Sequence, residues 1–215
     1  VAKVPWRRAG PGSPPRAAAD AGEQSCPSLQ RALERILKHD KPEILDLGPM
    51  CGASVVHLAS KGALVSVEEF IPPPPPPEPD PSSPRGEPPP KEPIRIEQPD
   101  GRFHLVVAWE QVDFVPPDRL ADFGKELHRL LTVGGYVLLF ARSGAVGAKP
   151  SGGSPGRFRI VADDKLIHEE SGLGRRKRWV HPTREIERAL APLSIQGIHL
   201  QRNQMREFLA LKKNG

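Results

Sequence analysis

The stretch PEILDLGPMCGASVVHLASKGALVSVEEF, from Pro42 to Phe70, constrains the chain more than any other. EILDLG and ALVSVEE are short, apolar-rich runs of the kind that form buried parallel strands, and the residues around Val55 to Lys61 between them read as a helix. A strand, helix and strand in this order need further strands beside them in one parallel sheet. Gly48 and Gly52 fall where the first strand turns into the helix. Lacking side chains, they let backbone approach a ligand closely and leave free N–H groups facing it. The second strand ends in two carboxylates, Glu68 and Glu69.

Around this unit the chain divides by composition. Residues Val1 to Pro27 mix Pro, Gly, Ala and Arg without hydrophobic periodicity and are expected to form a flexible arm. SLQRALERILKHD puts Leu29, Leu33, Ile36 and Leu37 on one helical face, with Ser28 as the expected cap. A folded domain is then expected over 28–213, interrupted at 72–93 by a segment so rich in proline that only polyproline II or coil is open to it. The sheet is expected to resume at PIRIE. FHLVVAW reads as a strand, PDRLADFGKELHRLL as a helix and GGYVLLFAR as a strand entered through glycine. GRFRIVADDKLIHEES reads as strand or hairpin, HPTREIERALAPL as a helix opened by Pro182, and SIQGIHLQRNQMREFLALKK as two strands around a turn at Asn203. The alternation predicts an α/β fold with a doubly wound, mostly parallel sheet.

Charge and cysteine content narrow the function classes. A formal charge of +5 is modest and sits partly in the arm and in the run GLGRRKRW, so RNA binding is a minor expectation. Cys26 and Cys51 have neither disulfide nor zinc-ligand spacing, and no metal is expected. No apolar run reaches the roughly 20 residues that span a bilayer, so a cytoplasmic protein with no membrane partner is expected.

DLGPMCG, an acidic residue ending the next strand, FHLVVAWEQVDFV and then LTVGGYVLLF resemble, in order and spacing, the class I S-adenosylmethionine-dependent methyltransferases over Ser28 to Lys213. The resemblance implies a seven-stranded sheet closed by a C-terminal antiparallel hairpin, with S-adenosylmethionine as cofactor. It implies cofactor contacts from Asp46, Gly48, Met50 and Gly52 in the turn, a ribose-binding carboxylate at Glu69 or, one residue away, Glu68, and a place for Trp109 facing the methyl donor. Glu97 and Asp100 are the candidates for adenine recognition, and Glu110, after the fourth strand, for a general base. Two residues depart from the family pattern. Met50 stands where the middle glycine belongs, and His104 replaces a usual aspartate.

The expected function is therefore methyl transfer from S-adenosylmethionine, narrowly ahead of a methyltransferase-like domain that has lost catalysis and serves as a binding or assembly subunit. The missing middle glycine argues against a dinucleotide dehydrogenase, and no Lys-Ser/Thr pair supports a P-loop. Scattered His57, His128 and His199 make no metal site. The proline segment suits an aromatic groove on a partner protein, although a passive linker is its plainer role.

Overall fold

The computed structural model describes residues 22–70, 72, 93–145 and 148–214. Most of the expected arm, 1–21, and the body of the proline-rich insert, 73–92, lie outside the described residues. In chain order the strands are β1 (Gln24–Ser25), β2 (Glu43–Asp46), β3 (Leu64–Val67), β4 (Phe103–Trp109), β5 (Leu131–Arg142), β6 (Ser151–Gly153), β7 (Gly156–Ala162), β8 (Lys165–Glu170), β9 (Arg176–Arg178), β10 (Ser194–Leu200) and β11 (Met205–Leu211). The α-helices are α1 (Pro27–Ile36), α2 (Gly52–Ala59), α3 (Leu120–Leu130) and α4 (Thr183–Ala189).

A six-stranded sheet of order β10-β11-β5-β4-β2-β3 forms the centre. β3, β2, β4 and β5 run parallel, while β11 lies antiparallel to both β5 and β10, so the sheet ends in a hairpin. Each buried strand sends alternate residues to opposite faces. Val106, Ala108, Val137 and Leu139 meet α3 and α4 in one apolar cluster. Leu105, Val107, Leu138 and Phe140 meet α1, Leu58 of α2 and the β7–β8 hairpin in the other. The doubly wound architecture is what the alternation predicts.

Three expectations change. PIRIE is not a strand: Ile94 and Ile96 are buried beside α3, but the backbone N–H of Ile96 donates to Glu126 Oε1 at 2.7 Å and that of Glu97 to Glu68 Oε1 at 3.1 Å. Side-chain carboxylates take donors that a sheet ladder would use, and among the described residues the central sheet has six strands rather than seven. The arm ends sooner than expected, because Gln24 and Ser25 pair with Leu166 and Lys165 of β8, and Cys26 is fully buried. Ser28 is no cap. Cys26 holds that position ahead of Pro27, and the Ser28 N–H donates to Glu207 Oε1 at 2.8 Å.

The segment between β5 and α4, joined by β1, builds two small sheets over the carboxyl ends of the central strands. One has the order β1-β8-β7, and the other pairs β6 with β9. No helix among the described residues is long and apolar enough to cross a membrane.

Candidate functional site

Asp46 ends β2 and is buried. Its Oδ1 accepts the Gly48 N–H at 2.9 Å and the Trp109 indole N–H at 2.7 Å. Burial raises its carboxyl to about 6, and the two hydrogen bonds pull the other way. Trp109 ends β4 with a positive φ of 36°, a strained conformation for a large side chain. It is held there by the Asp46 bond and by stacking on Phe158 and Phe140, at ring separations of 4.8 and 5.8 Å.

The indole lies directly over the glycine turn. A Cβ added to Gly48 would collide with the Trp109 ring, so glycine is required here for the approach of the chain's own tryptophan. Around Gly52, by contrast, a Cβ would meet nothing within 4 Å. Met50, which stands where the family's middle glycine belongs, is 68% exposed, and the side chain packed against Gly48 is that of Trp109.

The two strand-end glutamates part company. Glu68 accepts the Glu97 N–H and the Gln98 side-chain amide, the latter at 2.9 Å, and so fastens the 94–98 segment. Glu69 is exposed, with Arg176 Nη2 at 3.8 Å. Asp100 pairs with Arg129 beside α3, while Glu97 is exposed. His104 lies at the amino end of β4, where its Nδ1 accepts the Glu43 N–H at 3.1 Å, remote from the carboxyl edge.

Glu110 is buried at the centre of an ion cluster. Its Oε1 lies 3.1 Å from Arg142 Nη2, and its Oε2 lies 3.3 Å from Arg178 Nη2, accepts the Gly156 N–H at 3.1 Å and stands 3.7 Å from His168 Nε2. Burial pushes the carboxyl up, but His168, Arg142 and Arg178 more than reverse this and leave it below the usual range. A carboxylate held ionised by Arg142 and Arg178 is a poor proton acceptor, so in this conformation Glu110 anchors the overlying loops. Asp113, in the short 3-10 turn that follows, accepts the Arg142 backbone N–H and is raised to about 8 by burial and by the Glu110 charge.

Residues that sequence reasoning missed close the site. Ser54 on α2 donates to the Phe158 carbonyl at 3.0 Å and accepts the Ile160 N–H at 2.9 Å, which clamps the free edge of β7 to the helix. His57 and Lys61 both reach Asp163 in the hairpin turn, at 2.9 and 2.8 Å. The basic run lies on the same carboxyl edge, through Arg176 with Glu69 and Arg178 with Glu110. Cys51 and Cys26 are free and buried. Cavities of about 580, 240, 360 and 390 Å³ open elsewhere on the surface, and none is lined by Asp46, Gly48, Met50, Glu69 or Trp109.

No family model and no curated protein matches the chain. Solved structures do. A SAM-dependent methyltransferase from Methanosarcina mazei aligns with a TM-score of 0.50 at 14% identity over 82% of this chain and 95% of that one. An S-adenosylmethionine-dependent methyltransferase from Mesorhizobium loti aligns with a TM-score of 0.51 at 14% identity over 86% of this chain and 96% of that one. The chain has a class I methyltransferase-like fold.

Proposed function

We propose that this chain carries a methyltransferase cleft held shut by its own Trp109, and that methyl transfer from S-adenosylmethionine is open to it only when the indole leaves Gly48. The fold supports the cofactor assignment, as do Asp46 and Glu69 at the carboxyl ends of adjacent parallel strands, where open α/β sheets take their ligands. When bound, S-adenosylmethionine supplies an activated methyl group on sulfur. The acidic side chains suit its amine and ribose hydroxyls, but the space does not: beside Gly48 the residues present do not admit the group. The observation that carries the proposal is the 2.7 Å bond from Trp109 Nε1 to Asp46, which gives the acid of the turn an internal donor.

Opening breaks a hydrogen bond to a carboxylate, worth about 1.5–3 kcal/mol, and two aromatic contacts of about 0.5–1.5 kcal/mol each. A cost of roughly 3 kcal/mol or more lowers apparent affinity about a hundredfold. Calorimetry with S-adenosylhomocysteine tests this. Trp109→Ala should bind about a hundredfold tighter than the parent, and Trp109→Phe, which keeps a ring but loses the N–H, should fall between them. If none of the three binds while all keep the parent's circular dichroism, methyl transfer is overturned. The remaining reading is then a binding or assembly domain with a permanently filled cleft, which the Ser54 clamp and the aromatic stack favour.

A further inference from the structure

The cavity of about 390 Å³ beyond the end of β5 is lined by Arg142, Arg175, His168, Glu170 and the glycines 152 and 156, among others. Its glycines have a specific use. A Cβ on Gly152 would lie 3.2 Å from the Arg175 guanidinium, and one on Gly156 would collide with the His168 ring, so both side chains lie flat on bare backbone. Behind them Arg178 packs on Gly153 in the same way.

The cations outnumber the acids. Among the described residues the cavity wall carries two guanidiniums, Arg142 and Arg175, against one carboxylate, Glu170, and behind the wall Glu110 is shared by Arg142, Arg178 and His168. Asp113, raised to about 8, adds little charge at neutral pH. Arg142 Nε, His168 Nε2 and the acceptor Glu110 Oε1 are buried and have no hydrogen-bond partner among the described residues. A buried donor without an acceptor is unfavourable, so an acceptor that a small shift of these side chains brings within reach relieves a standing penalty. Fixed guanidinium forks with several N–H groups match a tetrahedral, doubly charged oxyanion better than a single carboxylate does.

We propose that this cavity binds a phosphate group, free or as a monoester, through Arg142, Arg175 and His168. The site goes beyond the methyl-transfer reading and does not rest on it, since phosphate binding is measured without S-adenosylmethionine. Its volume leaves room for the alcohol part of an ester beside the phosphate.

Calorimetry on the full chain uses inorganic phosphate and phenyl phosphate, with sodium chloride at matched ionic strength as control. Millimolar or tighter binding of either probe is expected, with phenyl phosphate tighter if the occupant is a monoester and equal binding if it is phosphate alone. Arg175→Gln is the clean variant, because among the described residues this exposed guanidinium hydrogen-bonds the Gly152 carbonyl alone. It should weaken binding roughly tenfold with an unchanged melting temperature. Gly156→Ala, which displaces His168, should weaken it as well. Phosphate binding no stronger than the chloride effect, or unchanged by Arg175→Gln, overturns the proposal. So does binding of single-stranded RNA lacking a terminal phosphate when neither probe binds, which would make the surface a nucleic-acid one.

Discussion

Glu110 and Asp113, three positions apart and both buried, come to opposite charge states because of their neighbours. Glu110 has Arg142, Arg178 and His168 around it; Asp113 faces Glu110 and takes mainly a backbone N–H. The consequences for stability differ in sign and window. The depressed Glu110 adds stability that is present above its unfolded value of 4.5 and is lost as pH falls through the lower folded value. Asp113, raised to about 8, keeps its proton in the folded chain where the unfolded chain has lost it, so stability falls as pH rises from about 4 to about 8. One extra bound proton corresponds to about 1.4 kcal/mol per pH unit in that window. Asp46, raised to about 6, acts in the same direction but only below that value. Asp113→Asn keeps an acceptor for the Arg142 N–H and removes the titration. Between pH 6.5 and 8 its melting temperature should stay nearly flat while the parent's declines; parallel curves would show that Asp113 is ionised throughout.

At the scale of elements, the parts with a clear period were legible and their docking was not. FHLVVAW reads as a buried strand and lies at the centre of the sheet. GRFRIVADDKLIHEES alternates like a hairpin and forms β7 and β8, but nothing in its pattern says that it packs over the glycine turn. That depends on Ser54, which in sequence is an ordinary polar residue inside a helix. PIRIE has strand composition yet loses its ladder to Glu126 and Glu68, side chains whose approach is tertiary. The family resemblance puts Trp109, at the end of the strand, at the cleft, but nothing in the sequence signals that its ring turns inward onto Asp46. Ser54→Ala leaves the buried Phe158 carbonyl and Ile160 N–H without their shared partner. Each such group costs about 1–3 kcal/mol, so the melting temperature should drop by several degrees. Hydrogen exchange at the Ile160 amide should accelerate well beyond that of amides in β4. An Ile160 amide as protected as before would mean that the hairpin is held without the clamp.

Across the whole molecule, the start of the described chain secures the hairpin sheet to the central one. β1 pairs with β8, the Cys26 N–H donates to the Asp164 carbonyl at 2.6 Å, and Ser28 donates to the fully buried Glu207 in β11. Composition alone hid this link, since Gln24 to Pro27 carries no period and only two residues enter a strand. A domain beginning at Ser28, the boundary expected from sequence, therefore lacks part of its own core. Removing Cys26 empties a fully buried site, and losing β1 exposes the edge of β8. Together these cost about 2–4 kcal/mol, or roughly 5–15 °C for a chain of this size. A chain starting at Ser28 should melt that far below one starting at Gly22, as followed by circular dichroism. Because the same sheet holds Phe158 against Trp109, the shorter chain should also bind S-adenosylhomocysteine more tightly than the longer one if the cleft opens by release of the hairpin. Equal melting temperatures would show that the first strand contributes nothing to closure, and would leave Ser54 and the Trp109–Asp46 bond to hold the cleft shut.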